Sequence, residues 1–436
     1  MNTATEDVLA SDFSTEPYWT EGLPPFVPPQ REIGPSVDVA IVGAGYAGLS
    51  AALTLARAGR EVAVCEAARV GTGASSRSAG SLGHVPKAGL ADLKARYGES
   101  VAHRVYAEAR QAREYVETLV REHQIECCLR SSGRFIAAHS PRAYAKLEDS
   151  LPELRDTWGA VELVPREGQR AHIGSDAFFG GLRLATAATL QPALLHRGLA
   201  RAVVGAGAHL LQETRVTAIG SDAGGFAVTT NAGKIKARAV VIATNAETGR
   251  ATPTLRRLSR RMAVIPAYVV VTEPIAPERM MRILPSEGSV SDTCKVLHYM
   301  APNETQQRLV MSARAGQSDG GLHEKARRVF GYFAARFPDL RGVRVTHCWT
   351  GRFALSRDLI PHIGIEDGLY YVLGCCGTGV PMSTYLGHRL ALKILRRDEG
   401  STVFDRPLPL MSVWRRSPAL LPMAVRAYDL RDRLFR

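Results

Sequence analysis

Three glycines, Gly43, Gly45 and Gly48, lie between a β-branched run at residues 37–42 and an Ala- and Leu-rich stretch at residues 46–58. A buried strand that feeds a helix through such a turn is suited to holding an anion. Gly43 permits the tight turn, Gly45 lets the backbone approach a ligand, and Gly48 lets helix and strand pack closely. The first N–H groups of the helix have no intrahelical acceptor and face a negative group, most simply a pyrophosphate. A second strand, residues 61–66, ends in Glu66, whose carboxylate can accept hydrogen bonds from two ribose hydroxyls. No phosphate-reading arginine accompanies it, as NADP would require. A bare strand–helix turn with no ligand would leave Glu66 unexplained, so the pattern reads as a dinucleotide site.

The elements that position this turn come from a chain of 436 residues, too long for one small core, so two domains are expected. Hydrophobic content of 45% and charged content of 22% are ordinary for a soluble globular protein. The longest apolar run, residues 262–271, is far short of a membrane span and contains Pro266. The polar, acidic N-terminus does not read as a signal peptide. Seven cysteines include two adjacent pairs, Cys127–Cys128 and Cys375–Cys376, and no CxxC. That favours reduced thiols in a cytoplasm over a disulfide frame or a zinc site. The net charge of +13 comes from scattered basic residues without a nucleic-acid-binding motif, so no nucleic-acid partner is expected; it suits anionic small molecules. The basic tail could form an amphipathic helix that touches a membrane surface, although a packed terminal helix is the plainer reading.

Residues 1–36 are proline-rich and read as an extended arm on the surface. Helical patterns cover residues 90–123, interrupted at Gly98, and residues 142–157. A helix at 192–204 is followed by a strand at 209–218, then a hairpin and a buried strand at 239–243, which extends a parallel sheet. Residues 256–345 turn β-rich, with one helix at 321–337, and suggest a second, mostly antiparallel sheet. A second glycine turn, "GCCGTGV", opens a final helix. The expected fold is α/β: a Rossmann-like βαβ domain made discontinuously from residues 37–120, 180–255 and 346–400, and an α+β substrate domain from 121–179 and 256–345. The arm and a basic tail at 401–436 flank them.

With these motifs assembled, the chain resembles the FAD-dependent amine and amino-acid oxidoreductases, the family of D-amino acid oxidase, glycine oxidase and sarcosine oxidase. It is most similar to the γ-glutamylputrescine oxidase-like branch. The resemblance runs over nearly the whole chain and rests on "PYW", "VAIVGAGYAGLSAALTLARAG", "GTGASSRSAG", "VVIATNAE", "LHYM", "RLVMSAR" and "WTGRFALSRDLIPHIG" with the second glycine turn. It implies that Gly43, Gly45, Tyr46, Ala47 and Gly48 cradle the FAD pyrophosphate and that Glu66, with Ala67, holds the adenosine ribose. It places Gly73, Ala74, Ser75, Arg77 and Ser78 around the flavin chain, Val216 at the adenine, and Ala243 and Thr244 near the pyrophosphate. Gly377, Thr378, Gly379 and Val380 are implied at the flavin N1/O2 edge, where a helix N-terminus favours the reduced cofactor. Gly351 stands where some relatives carry a flavin-linking cysteine, so the FAD is expected to be non-covalent; Cys348 is the nearest thiol.

Such enzymes move hydride from the carbon bearing an amine to flavin N5, and the imine then hydrolyses. This requires placement more than a strong acid or base. Four residues are candidates for the reacting end. Arg352 is a candidate carboxylate reader, against a surface salt bridge. Tyr299 lies on a strand implied to face the flavin, against a core tyrosine. His84 is a candidate tuner of the amine's protonation, and Lys295 a cation near C4a–N5. His362 reads as structural. The expected partners are an amine or amino acid and O2 or another electron acceptor. The rivals are a dehydrogenase that uses a quinone or carrier, a γ-glutamylputrescine-like amine oxidase, and a flavin-carrying scaffold subunit.

Overall fold

The structure, a computed structural model, describes residues 8–29, 34, 36–83, 85–249, 252–314 and 320–412. His84 and the basic tail from residue 413 lie outside the described residues.

The glycine turn follows strand Ser36–Val42 and leads into helix Tyr46–Arg57, with strand Val62–Cys65 next. Ser36–Val42 lies inside a mixed sheet. On one side it pairs in parallel with Val62–Cys65, and on the other with Gly233–Ile242. His209–Leu211 and Leu369–Leu373 continue the parallel set outward, and His362–Glu366 closes it antiparallel. The chain therefore departs to opposite sides of Ser36–Val42, which makes the glycine turn a topological switch point, where ligands bind in such sheets.

Helix Tyr46–Arg57 packs on helix Gly379–Ile394 at backbone distance. A Cβ on Gly48 would stand 1.9 Å from the Gly43 carbonyl oxygen, and one on Gly387 would stand 2.2 Å from the Ala47 carbonyl oxygen. Both contacts exclude any side chain.

The second sheet has nine strands, in the order Leu9–Ser14, Val345–Leu355, Ala263–Thr272, Leu309–Ala313, His298–Pro302, Ser289–Asp292, Arg134–Ala137, Gly181–Leu184 and Val161–Val164. It is mostly antiparallel; only its first pair and the pairing of Ser289–Asp292 with Arg134–Ala137 are parallel. Helix Leu322–Ala334 covers one face, with Val329, Phe330 and Phe333 packed among Met300, Met311 and Cys348. The other face carries Val269, Val310 and Trp349, with Trp19 packed on it.

Four expectations are corrected. The N-terminal arm does not only lie on the surface: Leu9–Ser14 pairs with the edge strand Val345–Leu355, and Trp19 is buried. An edge strand offers unpaired backbone groups, and this segment precedes the first proline and is free to satisfy them. The strand expected at 209–218 is two, His209–Leu211 and Val216–Asp222, separated where Glu213 takes φ +54. The helix expected at 142–157 restarts after Ser150, with a proline in the first turn of Leu151–Trp158. Residues 401–412, expected as the start of a tail, bury Val403, Phe404 and Leu408. Among the described residues no helix is long and apolar enough to cross a membrane. No disulfide joins the cysteines, six of which are buried.

Two alanine substitutions should have opposite signs. Gly387→Ala forces the two helices apart and should cost about 1–3 kcal/mol. Gly331→Ala, in open space in the middle of helix Leu322–Ala334, should add roughly 0.5–1 kcal/mol. Urea unfolding of the two variants beside wild type checks both.

Candidate active site

The turn begins at Gly43, whose φ of +102 is a glycine conformation. Helix Tyr46–Arg57 has neither a side-chain cap nor an acid in its first turn. The Tyr46 amide donates to Ser75 Oγ (3.1 Å), while those of Ala47 and Gly48 have no intrahelical acceptor. Glu66 lies across the mouth of the turn: Oε2 accepts from the Ala44 amide at 2.9 Å and Oε1 from the Ala68 amide at 3.1 Å, with Ala67 between. The Thr214 amide donates to the Glu66 carbonyl at 2.8 Å, which brings Val216 alongside. His196 supports the turn from below, its Nε2 donating to the Ala44 carbonyl at 2.7 Å. Burial lowers the pKa of this imidazole and keeps it neutral.

The loop after the second strand forms a 3-10 turn, Ala74–Arg77, preceded by Gly73. Two indoles hold it to the nine-stranded sheet. Trp349 Nε1 donates to the Arg77 carbonyl (2.8 Å) and Trp19 Nε1 to the Ser78 carbonyl (2.7 Å); the rings meet edge to face at 6.1 Å. Arg77 Nε donates back to the Thr350 carbonyl at 2.9 Å.

Ala243 and Thr244 rest on the glycine turn, where a Cβ on Gly43 would lie 3.1 Å from the Ala243 carbonyl oxygen. Asn245 then joins the two glycine turns: its Oδ1 accepts from the Gly374 amide (3.0 Å) and the Cys375 amide (3.3 Å). Cys376 (φ +54) and Gly377 (φ +85) are consecutive left-handed residues; the Cys376 amide donates to the Ala354 carbonyl (2.9 Å) and the Thr378 amide to the Cys375 carbonyl (3.0 Å). Thr378 Oγ1 donates to the Cys375 carbonyl rather than capping helix Gly379–Ile394, whose first turn, with Val380, also lacks an acid. Since Gly387 sits level with Ala47, this second open helix start lies about 12 Å along its own axis from that contact. Two open helix starts set apart in this way, with a carboxylate at one end, fit an extended dinucleotide.

The residues expected at the reacting end separate. Tyr299 is buried, on the sheet face shared with Trp349. Arg134 lies 5.2 Å from its ring and donates to Ser81 Oγ at 2.5 Å, just beyond the loop; the Tyr299 hydroxyl itself has no hydrogen-bond partner among the described residues. Lys295 is exposed, near enough for its charge to act on Lys87. Arg352 is not brought to this site. It is exposed and paired with Glu247 at 2.5 Å, because the pleat gives the inner face to Gly351, against Arg77, and to Phe353, against Gly377.

Sequence reasoning missed Lys87, Arg314 and Asn245. The Arg314 guanidinium carbon lies over the Phe353 ring, 5.2 Å from its centre. Lys87 lines an open pocket with Gly83, Leu359, Thr378, Pro381 and Met382. Burial, with the charges of Arg314 and Lys295, lowers its pKa to about 8. Behind Leu359, Asp358 accepts from His362 Nε2 (3.0 Å) and from the Tyr97 hydroxyl. Burial works to raise the Asp358 pKa, but these partners outweigh it and hold it at about 2. Asp292, Cys294 and His298 place donor atoms within 4.8 Å of one another, yet the Asp292 carboxylate is already engaged by His298, by Tyr332 and by two backbone amides.

A family model described as FAD dependent oxidoreductase matches residues 38–392. The γ-glutamylputrescine oxidoreductase of Escherichia coli (strain K12) is 29% identical over 407 residues, 91% of this chain and 93% of its own length. The glycine oxidase of Geobacillus kaustophilus is 25% identical over 397 residues, 84% of this chain and 94% of its own. Among solved structures, glycine oxidase from Geobacillus kaustophilus covers 87% of this chain and 99% of its own, with a TM-score of 0.69 at 24% identity. L-proline dehydrogenase from P. horikoshii covers 87% and 96%, with a TM-score of 0.67 at 21% identity. These two solved structures share the fold.

Glu66→Ala should weaken FAD retention roughly ten-fold or more, since charge-assisted hydrogen bonds contribute about 1.5–3 kcal/mol; apoprotein titrated with FAD measures it, and unchanged affinity would place the acid away from the ribose. Asp358 makes a separate prediction. Its folded pKa lies below the ordinary value of about 3.9, so its stabilisation is present above that pH and lost as the pH falls through about 2. Asp358→Asn should therefore cost about 2 kcal/mol at pH 7, and the gap to wild type in urea midpoint should close between about pH 4 and pH 2.

Proposed function

The chain belongs to the FAD-dependent oxidoreductase family, as an enzyme of the amine and amino-acid oxidase type, and on that premise we propose that it oxidises the C–N bond of an amine or amino acid and passes the electrons to O2. Bound FAD supplies a two-electron acceptor for the hydride. As the hydride leaves the carbon, the nitrogen lone pair closes the C=N bond. Water then adds to the imine, giving a carbonyl compound and ammonia or a smaller amine. With O2 as the acceptor, hydrogen peroxide would be the second product.

The chain's part is placement. Residues 43–48 would hold the pyrophosphate on backbone amides and Glu66 the ribose. The strap at Arg77 and Ser78 would fix the flavin chain. The open start of helix Gly379–Ile394 would set positive potential at the polar edge of the ring. Tyr299, whose hydroxyl has no hydrogen-bond partner among the described residues, would orient the amine. The observation that carries this reading is the pair of uncapped helix starts fixed by backbone contact at Gly48 and Gly387. The names of the two curated relatives put γ-glutamylputrescine-like amines and glycine-like amino acids on the substrate panel.

Anaerobic mixing of the purified flavoprotein with that panel should bleach the flavin with at least one member, and admitting oxygen should restore the colour with peroxide release. Colour restored only by an artificial acceptor would make the enzyme a dehydrogenase. Failure of every amine to bleach it would favour a flavin-carrying scaffold. Acid precipitation should leave the flavin in the supernatant: Gly351 faces Arg77, and Cys348 is buried in the core under helix Leu322–Ala334.

A further inference from the structure

We propose that Lys87 and Arg314 together bind a carboxylate on the substrate, and so select amines that carry one. This rests on the amine-oxidising reading above.

The two cations come from different parts of the chain. Lys87 follows the flavin loop, and Arg314 follows strand Leu309–Ala313. Both are half-buried, and both reach the second glycine turn: Arg314 lies over Phe353, whose ring is 3.7 Å from where a Cβ of Gly377 would stand, and Lys87 lines a pocket with Thr378. Two like charges in a partly desolvated site repel each other and lose hydration, an arrangement that an anion relieves.

No protein group supplies that anion. Among the described residues neither Lys87 nor Arg314 has a carboxylate within ion-pair distance or a hydrogen-bonding partner. Asp292, whose charge reaches Lys87, is committed to His298 and Tyr332. The Arg314 guanidinium carbon lies 5.2 Å from the centre of the Phe353 ring, and no acceptor among the described residues takes its N–H groups. Those N–H groups suit the two oxygens of a carboxylate, and the Lys87 ammonium adds a point charge from the pocket wall.

The pair also accounts for Phe353. On the strand of Arg352, the inward position is an aromatic ring, so this strand supplies a platform for a guanidinium and not the guanidinium itself. Arg352 spends its charge outside, on Glu247.

The test has two readings. Wild type, Arg314→Gln and Lys87→Met are compared for kcat/KM on the amino acid that bleaches the flavin fastest and on its carboxamide. The preference for the acid over the amide should fall by about 10- to 100-fold in each variant, mainly through KM. A preference unchanged in both variants, or a wild type that prefers the amide, overturns the proposal. The second reading needs no turnover: the holoenzyme is titrated with acetate or benzoate, and with acetamide or benzamide, while the flavin spectrum is followed. The carboxylates should perturb wild type at concentrations at least ten-fold lower than they require in either variant, and the amides should not discriminate. Equal response of all three proteins overturns the pair. If no amine bleaches the flavin, the amine-oxidising reading fails and this titration still decides the anion site. Should Arg314→Gln lose FAD or fold poorly, Lys87→Met and Arg314→Lys carry the comparison, the latter keeping charge but losing the fork.

Discussion

Everything near the site depends on two places where backbone touches backbone. The Gly43 carbonyl lies where a Cβ of residue 48 would be, and the Ala47 carbonyl where a Cβ of residue 387 would be. These contacts set the height of helix Tyr46–Arg57 above its strand and the sliding position of helix Gly379–Ile394 against it. A methyl group at either place moves a helix start, and a helix start is a fixed set of N–H donors. The distance between the two anion-binding ends is therefore set by main chain, which does not change rotamer.

The second sheet is coupled to this frame through a narrow strap. Trp19 and Trp349 are nearly fully buried, yet each indole N–H needs an acceptor, and the successive carbonyls of Arg77 and Ser78 supply them. The loop that crosses between the two sheets is thus bonded to the floor of the second one. Within the first sheet, Asn245 ties the end of strand Gly233–Ile242 to the second glycine turn by accepting from the amides of Gly374 and Cys375. With both turns fixed, Phe353 is held against Gly377 with Arg314 over its ring, and Lys87 reaches the same turn from the pocket it shares with Thr378.

Much of the frame was legible because it is local. The glycine spacing, the acid at residue 66 and the apolar strand each carry their own meaning within a few residues. The mixed α/β architecture, with a mostly antiparallel second sheet, followed from the alternation of elements. What was not legible was non-local. Leu9–Ser14 reads as arm until the open edge of Val345–Leu355 is known. Arg314 is an unremarkable strand-end arginine until its strand is paired and Phe353 is found beneath it. The parity of strand Val345–Leu355 decides whether residue 352 or 353 faces inward, and a one-residue slip exchanges the faces. Asn245 was visible as an asparagine after a strand, the type that tolerates a left-handed conformation, but the backbone amides that donate to it lie on a turn more than a hundred residues away.

The central claim is that one FAD spans the two backbone-fixed helix starts. A holoenzyme structure tests it most directly. The account predicts the pyrophosphate at the amides of Ala47 and Gly48, the adenosine ribose at Glu66, and the pyrimidine edge of the ring at Gly377, Thr378 and Gly379. A pyrophosphate bound away from residues 43–48, or a ring edge out of hydrogen-bond reach of the second glycine turn, would contradict it.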